Sequence, residues 1–142
     1  MSLNNMFMIR TANSEVYKEL VTEKKLFSRQ IELFLIGLSI GIAKNLKSNK
    51  RPNHDIIRLV ILESNLKLYK DVIDVIAEIF CRKIEEGECG SMILSYADGG
   101  IEYIWEEYLA QRILDLPRLY QETLNNWENI SNTLITELKK EN

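Results

Sequence analysis

A single histidine in 142 residues is the sharpest shortage in this chain. His54 is therefore the only imidazole able to serve acid–base or metal chemistry near neutral pH. It stands beside Asp55, but a triad would need a serine or cysteine brought from afar, and no nucleophile-elbow pattern is present. Cysteine is almost as scarce. Cys81 and Cys89 are the only two, eight apart, with no second pair to complete a zinc knuckle. They imply no disulfide framework; a buried Cys81 and a loop Cys89 are expected. The longest apolar run, residues 33–43, falls short of the ~20 residues of a bilayer span and reads as a core helix. The start, Met1-Ser2-Leu3-Asn4-Asn5, lacks the basic and long apolar regions of a secretory leader. Together with the few cysteines, this leads to the expectation of a reducing cytoplasm. Neither a P-loop nor a dinucleotide fingerprint occurs.

What is present is helical patterning. The 46% apolar and 27% charged composition is that of a globular domain. The chain is long enough for one real core. Met6 to Arg10 reads as an arm or edge strand, and residues 1–5 are expected to lie outside the fold. Asn13 or Ser14 can cap a helix to about Glu23. Ser28 is expected to cap the central helix, residues 29–46, which is apolar nearly all round and so should be surrounded. Its Gly37 and Gly41 are spaced for a tight crossing with another helix. After a polar loop, Asn53 or His54 is expected to open a helix with Ile56, Ile57, Val60 and Ile61 inward. Residues 68–84 form an amphipathic helix, with Gly87 just past its end. In Tyr96-Ala97-Asp98-Gly99-Gly100-Ile101, the double glycine is expected to break the chain between a short helix at 92–97 and another at 101–114. Asp98 would end one or cap the next. Asp115 and Pro117 restart a last amphipathic helix to about Lys140.

Charge is split along the chain. The first 70 residues carry 12 Lys/Arg against 6 Asp/Glu, and the remaining 72 carry 6 against 15. Lys44, Lys47, Lys50, Arg51 and Arg58 gather around a loop rich in asparagine and serine, residue types that contact phosphates. This is the candidate nucleic-acid surface, although a pI of about 5.3 is unlike the usual basic DNA-binding domain. Asp71, Asp74 and Glu78 share a helical face that could chelate a hard cation, but a solvated face is the simpler reading. Asp98, Glu102, Glu106 and Glu107 would repel a phosphate at the double glycine. Trp105, Tyr108, Leu124, Trp127, Leu134 and Leu138 are the interface candidates, because aromatics are enriched at interfaces. No catalytic or metal residues and no cofactor emerge.

Two segments carry a family resemblance. One is Phe27-Ser28 leading into Leu33-Phe34-Leu35-Ile36-Gly37-Leu38-Ser39-Ile40-Gly41. The other is Ile93-Leu94-Ser95-Tyr96-Ala97-Asp98-Gly99-Gly100-Ile101-Glu102. Together they resemble the DNA phosphorothioation-associated protein 4 family, small bacterial and archaeal proteins encoded beside DNA sulfur-modification and restriction genes. The similarity spans residues 9 to 109. The chain departs from the family pattern where alanines become Leu35, Ile36 and Leu38, and where asparagine becomes Asp98. The resemblance supplies no catalytic residues. It implies an accessory role in a phosphorothioation-linked defence system.

The expectation is thus a single all-α domain over 1–142, a compact bundle of about six helices around the 29–46 helix. Functionally it is a non-catalytic, cytoplasmic interaction protein, with other subunits of that system as partners and a homodimer as its own assembly. The alternative is an independent nucleic-acid-binding regulator using the basic loop at 44–58.

Overall fold

The chain is 69% helix with one small two-stranded sheet, so the expectation of an all-α fold holds for most of the chain and fails at the strands. The computed structural model describes residues 3–82 and 84–140, excluding the side chains of residues 86, 126, 133, 134, 137, 138 and 140. Strand β1 (Met8–Thr11) buries Ile9 and Thr11 and turns Arg10 outward, the period-two alternation of a half-buried strand. It pairs antiparallel with β2 (His54–Arg58), Ile9 opposite Ile57 and Thr11 opposite His54. A helix was expected at His54. β-branched Ile56 and Ile57 suit a pleated surface, and β1 supplies the edge they pair with, a partner 45 residues away that local periodicity does not display. Arg10 Nε reaches Asp55 Oδ1 across this exposed pair at 2.6 Å. Leu3, in the tract expected to lie outside the fold, is buried, and Asn5 O accepts from Val60 N at 2.8 Å.

Helix α1 (Ser14–Tyr17) runs into a π-helical stretch, Lys18–Glu23. Helix α2 (Gln30–Lys44) starts after Arg29, and Ser28 Oγ reaches Glu32 Oε2 at 3.0 Å rather than capping the backbone. Asn45 ends α2 in the left-handed region at φ 54°, a conformation asparagine tolerates better than most residues with a Cβ. Leu33, Phe34, Leu38 and Ile40 are fully buried; Leu35 and Ile42 are half-buried against the core. After β2, a 3₁₀ turn (Leu59–Ile61) and α3 (Leu62–Asn65) lead to α4 (Lys67–Phe80). Ile73, Ile76 and Ala77 face inward on α4. Its acidic residues Asp71 and Asp74 pair with Lys67 at 3.3 Å and Lys70 at 2.7 Å, each one turn away.

Helix α5 (Glu86–Gln111) corrects the reading of the double glycine. The expected break at Gly99-Gly100 does not exist: both lie within 26 continuous helical residues, and no glycine has positive φ. Gly87, expected past the end of the preceding helix, sits in the first turn of α5. The glycines serve close approach instead. A Cβ on Gly100 would fall on the Gly37 carbonyl, one on Gly41 on the Tyr96 carbonyl, and one on Gly99 on the Leu46 carbonyl, each closer than 3.0 Å. Helices α2 and α5 therefore cross backbone against backbone, as the Gly37 and Gly41 spacing suggested for α2. Arg112 ends α5 at φ 55°. Helix α6 (Leu116–Lys140) follows, with Asp115 Oδ1 accepting from Arg118 N at 3.1 Å as the anticipated cap. Its inner face buries Leu119 and Ile130.

Cys81 is buried as expected, but Cys89 lies in α5 rather than in a loop, and the two are joined. Cys81 and Cys89 form a disulfide that ties the end of α4 to the first turn of α5, and both are buried. Helix–turn–helix geometry brings the pair together, which a spacing of eight does not reveal by itself. Loop entropy for so short a ring is worth about 2.5 kcal/mol. A reductant, or replacement of both cysteines by serine, is therefore expected to lower the melting temperature by several degrees. Equal melting curves with and without thiol would show that the link adds no stability.

Candidate functional site

The unbroken α5 places Asp98 and Glu102 one turn apart on one face. Asp98 is only 1% exposed. Its carboxylate accepts from Thr11 Oγ1 at 2.5 Å, Ala12 N at 2.9 Å and Asn13 Nδ2 at 3.2 Å. Burial pushes its pKa above the usual carboxylate value. The bonds from Thr11, Ala12 and Asn13 oppose that rise, and the Glu102 charge adds to it. Glu102 Oε2 accepts from Asn13 Nδ2 at 3.0 Å and Ser48 Oγ at 2.7 Å. Ser48 is itself fixed to α5, donating its N–H to Ser95 O at 3.0 Å and accepting from Ser95 Oγ at its carbonyl at 2.9 Å. Lys50 completes the chain of contacts, with Nζ 3.3 Å from Asn13 Oδ1 and N 3.1 Å from Ser48 Oγ. Under this network lies Tyr17. Its buried hydroxyl has no hydrogen-bond partner among the described residues, and burial followed by the Asp98 charge raises its pKa.

Ala12, Asn13 and Lys50 of this network line an open cleft of about 370 Å³. Ser14, Glu15, Asn53 and Trp105 line it as well. Trp105 stacks on Tyr108 one turn along α5, ring centroids 5.3 Å apart. These two interface candidates are half-buried against the core rather than free.

Four of the five candidate cations contact groups of the protein itself. Lys44 Nζ bonds Glu122 of α6 at 3.1 Å and lies 5.0 Å from the Tyr103 ring centroid; the Glu122 contact raises its pKa. Lys47 lies 5.1 Å over Tyr96, a cation–π contact. Arg58 donates to Met6 O at 3.0 Å. Lys50 lines the cleft, and Arg51 is exposed beside it. Sequence reasoning singled out Lys50 and Trp105 but not the cleft they share, read Asn13 only as a helix cap and Ser48 only as part of the polar loop, and missed Thr11. One signal was available: acids at 98 and 102 interrupt a glycine-and-apolar helix face at helical spacing.

A second feature is apolar. On α4, Leu68 and Val75 are 73% and 52% exposed; on α6, Leu124 and Trp127 are 65% and 39% exposed. Trp127 meets Val72, Val75 and Ile76 in a shallow groove of about 240 Å³ between the two helices. The side chains of Leu134 and Leu138 lie outside the described residues. Among the described residues, no helix is long and apolar enough to cross a membrane. No protein-family model, curated protein or solved structure matches this chain.

Proposed function

We propose that this chain is a non-catalytic interaction protein that docks other protein subunits through the α4–α6 face. The observation that supports it is that exposed Val75 and Trp127 share the groove between α4 and α6, with Leu68 and Leu124 exposed on the same two helices, since large apolar side chains grouped on a surface mark interaction sites. The setting, a DNA phosphorothioation-linked modification or restriction system in the cytoplasm, rests on the sequence alone. The Cys81–Cys89 disulfide weighs against a reducing compartment. The same face would support a homodimer. Basic residues at 44–58 serve the alternative of a nucleic-acid-binding regulator less well, because Lys44, Lys47 and Arg58 already contact the protein's own groups.

Co-expression with the products of neighbouring sulfur-modification genes tests the docking, and sedimentation equilibrium tests the homodimer. Val75→Glu combined with Trp127→Glu is expected to abolish co-elution or dimer mass while leaving the helical circular dichroism unchanged. Location of the gene away from sulfur-modification genes would remove the proposed setting. A monomer mass together with no co-eluting subunit would remove the docking role.

A further inference from the structure

The cleft beside Asn13 combines three recognition chemistries that the interaction reading does not use. Trp105 offers an indole face held by its stack on Tyr108. Lys50 offers an ammonium group, and no carboxylate lies within salt-bridge distance of it among the described residues. Asn53 and Ser14 offer an amide and a hydroxyl.

Asn13 makes this arrangement rigid. Asp98 and Glu102 both take its Nδ2 group, so Oδ1 must face Lys50. The side chain is 7% exposed, which fixes the rotamer that positions the ammonium. A flat aromatic ring, a cation and amide groups around about 370 Å³ match a base, a phosphate and a sugar in kind and in size. Lys50 is the basic residue lining the cleft, and Arg51 follows it in the chain, exposed. The carboxylate of Glu102 is turned to the Asn13 amide and the Ser48 hydroxyl. Glu15 is the acidic residue that lines the cleft.

We infer that the cleft binds a nucleoside phosphate unit, with the base on Trp105 and the phosphate at Lys50. The unit can come from a free mononucleotide or from a single strand. This inference is independent of the α4–α6 docking face.

Trp105 and Trp127 are the only tryptophans, so Trp127→Phe leaves Trp105 as the sole indole reporter. In that background, mononucleotides and short mixed-sequence single-stranded DNA are titrated at low salt while fluorescence is followed. Quenching is expected at concentrations up to about 1 mM, the weak end of measurable affinity. Lys50→Ala should weaken it about tenfold or more, as for loss of a charge-assisted phosphate contact. Lys50 is exposed, so that variant keeps the fold; matched melting curves check this. Quenching by mononucleotide that depends on Lys50 identifies a free-nucleotide site, and quenching by the oligomer alone identifies a strand site. No quenching by either, or quenching indifferent to Lys50→Ala, overturns the inference.

Discussion

Gly100→Ala is expected to cost on the order of 3 kcal/mol or more, and Gly100→Leu to leave no cooperative unfolding transition. One methyl suffices because the atom it meets is the Gly37 carbonyl oxygen, which cannot rotate away as a side chain would. The helices must separate, and Ile101 and Ala97, which face Gly37, then lose packing along the seam. With total stabilities of about 5–15 kcal/mol, that is a large fraction of the whole. Gly87 is the internal control, for it lies on the same helix with nothing within 4 Å of its would-be Cβ. Gly87→Ala should be neutral or stabilising by up to ~1 kcal/mol. Urea unfolding followed by circular dichroism measures all three. Equal midpoints for Gly100→Ala and wild type would mean that the two backbones do not touch.

Asp98→Ala should be nearly as damaging. It strands the Thr11 hydroxyl and the Ala12 N–H where both now bond a carboxylate. Each unsatisfied buried donor costs about 1–3 kcal/mol. Asn13 keeps its bond to Glu102 and is the least affected.

Asp98 also carries a pH signature. Burial raises its folded pKa above the ordinary 3.8, so the folded chain holds this proton to higher pH than the unfolded chain does. The group's contribution to stability is then largest at low pH and is lost as pH rises through the folded value. Asp98→Asn cannot ionise. Its urea midpoint, compared with wild type between about pH 4 and pH 7, should lack that slope. Parallel pH profiles for the two proteins would remove Asp98 from the account.

Much of the helical architecture is readable from the residues. Apolar spacing locates α2, α4 and α6 to within a few positions, and Asp115 announces the start of α6. The errors share one cause. Gly99-Gly100 and His54 to Arg58 take their conformations from distant partners, Leu46 and Gly37 in one case and β1 in the other. Glycine signals permissiveness, and permissiveness serves a turn and a tight crossing equally well. Asp98 was misread for the same reason: a capping residue by type, it spends its acceptor capacity on Thr11, Ala12 and Asn13, more than eighty residues away. The candidate site was legible only as separate residues, because Lys50 and Trp105 come to one cleft only when α5 packs beside the Asn13 segment.

The crossing of α2 and α5 also bears on the order in which the chain folds. Gly37 and Gly100 are roughly sixty residues apart, so joining them closes a long loop before any reward arrives. Helical proteins fold fast when their contacts are local, and this seam is not. Glycine offers no side chain to draw the helices together from a distance; dispersion between two backbones acts only at the final separation. The seam should therefore seat late, after flanking residues such as Leu38 and Ile101 have begun to collapse, and the protein should fold at the pace of a mixed α/β domain rather than of a simple helical bundle.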